Sequence, residues 1–196
     1  GIDIGGTKVA VALINENGEI VSRSQSPSQT ASAESLYQGV VQLVDKVLND
    51  NDLRIQDTYG IGVGLPGKVD VENGVAIFQN NIPWANFPIV ERLKETYGDI
   101  PVKIDNDVKV AAYAEYRMLN LKPTDMFGYV TVSTGIAATN IVNNTILRGE
   151  GFSGEIGFVK VPYFECLEAL EVACSGVGIE RTGREIYEDE TLTTKD

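Results

Sequence analysis

Short apolar runs open the chain and longer amphipathic stretches follow. Ile2 and Ile4, then Val9-Ala10-Val11-Ala12-Leu13-Ile14, read as buried strands. Residues 1–26 predict three strands, with a turn at Asn15-Glu16-Asn17-Gly18 between the second and third. The period then changes. Leu36, Val40, Leu43, Val44, Val47 and Leu48 share one helical face and predict a helix over about 33–49, with Ser32 as its N-cap. "YGIGVGLPG" (59–67) predicts a buried strand ending in a sharp loop, and "PIVERLKETY" (88–97) a helix with Pro88 in its first turn. A short strand, "VKI" (102–104), leads through "DND" into a helix over about 107–119. "FGYVTVSTG" (127–135) predicts a strand running into a glycine turn, with a hairpin arm after it. The remainder, including "ECLEALEVACSG" and "VGIERTGREIYE", reads as mostly helical. Hairpins followed by alternating helices and strands predict an α/β fold. After Asp125 a second cycle of strand, glycine turn and strand echoes residues 1–14, and this second copy looks incomplete.

Composition narrows the picture. Hydrophobic residues make up 43% of 196, enough for one large or two small globular domains. No apolar run is long enough to span a bilayer and these residues show no signal-peptide pattern, so the expectation is a cytoplasmic protein with no membrane partner. Sixteen basic against 28 acidic residues, a net charge of −12, argue against a sequence-independent grip on nucleic acid. Cys166 and Cys174 read as buried thiols, too few for a disulfide framework. The absence of histidine excludes Ser–His and histidine–zinc chemistry and leaves a carboxylate as the natural general base. The chain starts inside a strand without methionine, and about 60 residues follow the second glycine turn, too few for a second α/β domain of ordinary size. A longer native polypeptide is expected.

Candidate chemistry clusters at the turns. In "GIDIGGTK" (1–8), Gly5-Gly6-Thr7 offers backbone N–H groups and a hydroxyl suited to phosphate oxygens, and Asp3 suits water-mediated Mg²⁺. An ordinary hairpin with a polar tip explains the same eight residues equally well. "VSTGIAA" (132–138) repeats the device with Ser133, Thr134 and Gly135, and two such turns facing each other would clasp a polyphosphate. Asn106 and Asp107 stand between a strand and a helix, where both are favoured caps. A carboxylate there also sits where α/β folds bind ligands and is placed to take a proton from a hydroxyl. "GLPGKVD" (64–70) and "NNIPWANFP" (80–88) are loops that carry Gly67, Asn81 and Trp84, the last read as a core anchor. Glu155 in "GFSGEIGF" and Glu168 in "CLEAL" are surface acids by default; converging with Asn and Asp on one cleft, they would match a sugar's hydroxyls.

Taken in order, these pieces resemble the ROK family of sugar kinases and repressors, glucokinase-like members included. The resemblance rests on Asp3-Ile4-Gly5-Gly6-Thr7-Lys8, Gly64-Leu65-Pro66-Gly67, Asn81-Ile82-Pro83-Trp84, Asn106-Asp107, Ser133-Thr134-Gly135, Gly154-Glu155-Ile156-Gly157 and Cys166-Leu167-Glu168-Ala169, and runs over nearly the whole chain. It implies an actin-like ATPase (ribonuclease H-like) fold of duplicated α/β domains. Residues 1–120 would form the N-terminal domain, with the first phosphate motif and the sugar-cleft loops. Residues 121–196 would form part of the C-terminal domain, with the second phosphate motif. The implied reaction transfers the ATP γ-phosphoryl group to a hexose hydroxyl, with Asp107 as general base. Gly5, Gly6, Thr7, Lys8, Ser133, Thr134 and Gly135 would hold ATP phosphates. Asp3 would place Mg²⁺ through water, and Gly67, Asn81, Asn106, Asp107, Glu155 and Glu168 would hold the hexose. A homodimer is implied as well.

The departures shape the expectation. The family has a histidine after Gly-Glu-Ile-Gly that binds a structural zinc and the sugar; Phe158 stands here, to pack on the sugar's apolar face. The family's Cys-x-Cys-Gly pair is missing, so Cys166 is left alone and no zinc site is expected. Ala137 and Ala138 stand where extra glycines usually follow the second turn, and the adenosine-binding glycines of the second domain are not among these residues. Two rivals follow, a sugar-responsive regulator and a non-catalytic sugar-binding relative. A repressor would carry a helix-turn-helix arm ahead of Asp3, for which Gly1 leaves no room, and retention of both Asp3 and Asp107 favours the kinase.

Overall fold

The computed structural model describes residues 1–79 and 81–194, from which every element below is taken; Asn80 of the expected loop 80–88 lies outside them. The chain divides into two compact units, Gly1–Val110 and Ala111–Asp196.

In the first unit, β1 (Ile2–Ile4) pairs antiparallel with β2 (Lys8–Ile14), which pairs with β3 (Ile20–Pro27). Ile2 and Ile4 point into the core while Asp3 between them is exposed, the period-2 alternation of a half-buried strand. Helix α1 (Ala33–Asn49) follows, started by a capping box in which the Ser35 N–H donates to Ser32 Oγ at 3.0 Å and the Ser32 N–H to Ser35 Oγ at 2.9 Å. Its buried face carries Leu36, Tyr37, Val40, Leu43, Val44, Val47 and Leu48, and burial of each large apolar side chain contributes about 1.5–3 kcal/mol. Next come β4 (Ile61–Leu65), a small antiparallel sheet of β5 (Lys68–Asp70), β6 (Val75–Phe78) and β7 (Ala85–Phe87), then α2 (Ile89–Tyr97), β8 (Val102–Asn106) and α3 (Asp107–Met118). The main sheet has the order β3-β2-β1-β4-β8, with β1, β4 and β8 mutually parallel. Trp84 is the anchor expected: it is buried, stacks on Phe87 with centroids 4.4 Å apart, and donates from Nε1 to the Ala33 carbonyl at 3.0 Å. Pro88 proves to be the N-cap of α2 rather than a first-turn residue.

In the second unit, β9 (Met126–Val132), β10 (Ile136–Val142) and β11 (Thr145–Ile146) form an antiparallel sheet. The echo of the opening hairpin holds in the backbone. Ile4 pairs with Val9 around the first glycine turn and Val132 with Ile136 around the second.

One expectation fails here. Residues 160–169 are a hairpin, β12 (Lys160–Tyr163) with β13 (Cys166–Ala169), and helix α4 (Leu170–Cys174) is short before α5 (Gly176–Tyr187). Ladder pairing from Lys160–Ala169 to Tyr163–Cys166 overrides the helical tendency of "ECLEALE", and Phe164 takes the left-handed conformation (φ 49°) that the tight turn requires. Cys166 therefore lies on a strand and Cys174 at the end of a helix, and both thiols are exposed rather than buried. Among the described residues no helix is long and apolar enough to cross a membrane.

Candidate active site

Register decides which loops meet. Asp3 lies beside Gly64, and Leu65 beside Asn106, across parallel strands. The C-terminal ends of β1, β4 and β8 thus bring the Gly5 turn, the Gly67 loop and Asp107 to one edge, the edge at which open α/β sheets receive ligands.

The first turn is held from within and from outside. The Gly5 N–H donates to the Lys8 carbonyl at 2.9 Å. Ser28, just after β3, donates from Oγ to the Gly5 carbonyl at 2.6 Å and from its N–H to the Thr7 carbonyl at 3.0 Å. Ser28 was not a candidate in the sequence, because a serine in "SRSQSPSQT" shows no pattern that separates it from its neighbours. Gly6 lies against Asn81: an added Cβ would stand 2.7 Å from both the Asn81 Cβ and its carbonyl oxygen. The sugar-loop candidate and the phosphate-turn candidate are therefore in contact.

Asn106 works in two directions. Its Nδ2 donates to the Gly67 carbonyl at 3.1 Å, and its Oδ1 accepts the Lys109 N–H at 3.3 Å, capping α3. Gly67 needs its glycine: φ is +71°, and a Cβ would stand 2.3 Å from the Phe78 carbonyl oxygen. Asp107, half-buried at the start of α3, accepts the Val108 N–H at Oδ1 (2.9 Å). Burial pushes its carboxyl above the ordinary carboxylate range, the Val108 N–H draws it back, and the charge of Asp3 adds to the rise. Asp3 is exposed at the same edge, and its carboxylate makes no hydrogen bond or ion pair among the described residues. Carboxylates at one sheet edge, close enough for the charge of Asp3 to act on Asp107, are donor chemistry suited to a divalent cation.

The second turn belongs to the second unit. The Ser133 N–H donates to the Gly135 carbonyl at 2.9 Å, and the Gly176 N–H to the Ser133 carbonyl at 2.7 Å. The start of α5 thus abuts the turn, capped by Ser175, whose Oγ accepts the Gly178 N–H at 3.2 Å. Thr134 is exposed beside it. The Glu171 carboxylate, not anticipated from the sequence, stands beside the turn: a Cβ on Gly135 would lie 2.9 Å from its Oε2. Nothing in "LEALEVA" marks this glutamate among its acidic neighbours. Glu155 is exposed and follows Gly154, whose carbonyl accepts the Ala138 N–H at 2.7 Å. Glu168 sits on β13 with Lys160 at 3.5 Å, and the Ala169 N–H, then Lys160, hold its carboxyl below the ordinary range. Phe158 is 64% exposed. Among the described residues no three His, Cys, Asp or Glu side chains gather as a metal-binding cluster.

An α/β fold with a glycine turn in each unit and a carboxylate at a strand–helix junction is that of the actin-like ATPase class. The chain belongs to the ROK family, which it matches along residues 1–196. It is 30% identical over 194 residues to a glucokinase of Halalkalibacterium halodurans, covering 94% of this chain and 58% of that protein. It is 27% identical over 165 residues to a xylose repressor of Caldicellulosiruptor bescii, covering 83% of this chain and 41% of that one. Its fold matches the crystal structure of a ROK family glucokinase from Streptomyces griseus in complex with glucose and AMPPNP, with a TM-score of 0.76 at 27% identity over 96% of this chain and 60% of that one. The chain thus spans about half the length of the relatives it matches.

Proposed function

We propose that the protein is an ATP-dependent sugar kinase that transfers the γ-phosphoryl group to a hexose hydroxyl, with Asp107 as general base. The observation that carries this reading is the meeting, at one sheet edge, of a glycine phosphate turn, the Asn81 and Gly67 loops, and a half-buried carboxylate. Asp107 would accept the hydroxyl proton as the sugar oxygen attacks phosphorus and the bond to the β-phosphate oxygen breaks. Asn106 orients the Gly67 loop and caps the helix that carries Asp107. Gly6 and Thr7 would offer backbone N–H groups to phosphate, the Gly5 N–H closing the turn on the Lys8 carbonyl, with Lys8 adding charge; Thr134 and Gly135 would do the same at the second turn, where the Ser133 N–H is taken by the Gly135 carbonyl. Mg²⁺, held through water by Asp3, would offset phosphate charge when bound. Asn81, Glu155 and Glu168 would complete the hexose contacts. The glucokinase relatives support the sugar class. A regulatory or non-catalytic reading draws on the xylose repressor likeness and on Phe158; the paired acids Asp3 and Asp107 weigh against it. A coupled assay for ADP release across a panel of hexoses tests the proposal: hexose-dependent ADP release supports it, and hexose binding with no turnover on any sugar favours the regulatory reading.

A further inference from the structure

We propose that Gln79 is a further positioning residue of the hexose site, fixing the Lys68 carbonyl next to the Gly67 carbonyl that Asn106 holds. The inference rests on the sugar-kinase reading and concerns a residue outside every motif named above.

Gln79 follows β6 and is buried, with 6% exposure. Its Nε2 donates to the Lys68 carbonyl at 3.2 Å. The bond falls where the β5–β6 ladder shifts register between Lys68 and Val69, an irregularity of the kind found where strands are re-aimed beside functional sites. One residue earlier, the Gly67 carbonyl takes the Asn106 Nδ2 at 3.1 Å. Two consecutive loop carbonyls are therefore each held by a side-chain amide, one from the end of β8 and one from the end of β6.

The other end of the Gln79 amide is unusual. Oε1 is buried with no hydrogen-bond donor among the described residues, and it lies beside Gly67, 2.9 Å from where a Cβ would stand. Unpaired buried acceptors are rare and destabilising. An apolar side chain of the same length would fill this space without that cost, so packing alone does not account for a glutamine. The bond to Lys68 does. Gln79 is also two residues from Asn81, which lies against Gly6. The run Gly6, Asn81, Gln79, Lys68, Gly67, Asn106 is thus one connected support around the site where the hexose would sit, and loosening Gln79 frees the loop in its middle.

The test compares Gln79→Met, which keeps length and removes both polar atoms, with Gln79→Glu, which keeps Oε1 and turns the donor into an acceptor facing the Lys68 carbonyl. Hexose Kd is read by calorimetry without nucleotide, hexose KM and kcat with ATP, and the thermal midpoint by calorimetry. For Gln79→Met the expected result is a midpoint at or above that of the unaltered protein, with hexose Kd and KM weakened about 3–10-fold, the size of one lost hydrogen bond, and kcat within about twofold. Gln79→Glu should weaken hexose binding further. A Gln79→Met protein that binds hexose as tightly as the parent overturns the inference. So does a lowered midpoint with unchanged Kd and KM, the mark of a structural role. A parent that binds hexose but never phosphorylates it defeats the kinase reading alone, because the Kd comparison still decides Gln79; a parent that binds no hexose defeats both.

Discussion

A methyl group on Gly6 would stand 2.7 Å from the Cβ and from the carbonyl oxygen of Asn81, so the Gly5–Gly6 turn and the Asn81 loop have no room between them. Gly6→Ala should push the two apart. Overpacking of this kind costs about 1–3 kcal/mol, and the displaced turn should lose phosphoryl transfer more than it loses stability. Gly62→Ala is the control. A Cβ there meets nothing within 4 Å, and a tolerated Gly→Ala change is neutral or stabilising by about 0.4–1 kcal/mol. Thermal midpoints and turnover of the two variants, measured side by side, check the contrast.

Asp107 sets a pH dependence whose sign is fixed by burial. Its carboxyl titrates above the ordinary carboxylate range, so kcat/KM should fall on the acid side at a pH higher than an exposed aspartate would give. The stability effect runs the other way. The folded state holds this proton more tightly than the unfolded chain, so that contribution is present below the ordinary aspartate value and is lost as pH rises through the raised one. Ionised Asp107 is therefore destabilising at neutral pH. Asp107→Asn, which keeps an acceptor for the Val108 N–H, should unfold at the same or a higher temperature near pH 7, with the gap closing in acid. A variant clearly less stable at pH 7 would mean that the charge holds the fold together.

Asn106→Asp separates the two duties of this side chain. The carboxylate still accepts the Lys109 N–H but can no longer donate to the Gly67 carbonyl. Hexose KM should rise up to about tenfold, as expected when the Gly67 carbonyl loses its donor and faces a carboxylate instead. The thermal midpoint should move little. An unchanged hexose KM would assign Asn106 to the cap alone.

Helix α1 was legible because Leu36 to Leu48 lie on one face and Ser32 is a strong cap, so local signals and burial agree. The placement of Asp107 was legible for a related reason, since it sits at a strand–helix junction visible in the apolar pattern. The hairpin of β12 and β13 was not. Its second strand is composed of good helix formers, and only pairing with Lys160–Tyr163 makes it extended. Ser28 and Gln79 were invisible for another reason. Each acts on a backbone carbonyl, of Gly5 and of Lys68, that the fold delivers, and no spacing in the sequence encodes such a meeting.

The β12–β13 hairpin is tied to α5 without a metal cluster among the described residues. Tyr163 Oη and Thr182 Oγ1 are 2.6 Å apart, and the Arg181 guanidinium lies 5.7 Å from the Tyr163 ring centroid. Removing one such hydrogen bond costs about 0.5–1.5 kcal/mol, so Tyr163→Phe should lower the thermal midpoint, whereas chelator should leave the parent's unchanged. Phe158→His should not create a zinc site, because Cys166 and Cys174 are the two cysteines of these 196 residues, too few to complete a four-ligand site with one histidine. One zinc per chain by metal analysis of the purified protein, with unfolding on chelation, would contradict this account.

The most direct test of the central claim follows the phosphoryl group itself. ATP labelled at the γ-phosphate is incubated with hexose and either the parent protein or Asp107→Asn, and label in sugar phosphate is measured alongside hexose affinity. The account predicts label in sugar phosphate with the parent. It predicts a rate lower by about 10²–10⁴-fold, the usual worth of a general base, with hexose still bound, for Asp107→Asn. Label transferred equally well by both proteins, or a parent that binds hexose and labels none of it, would contradict it.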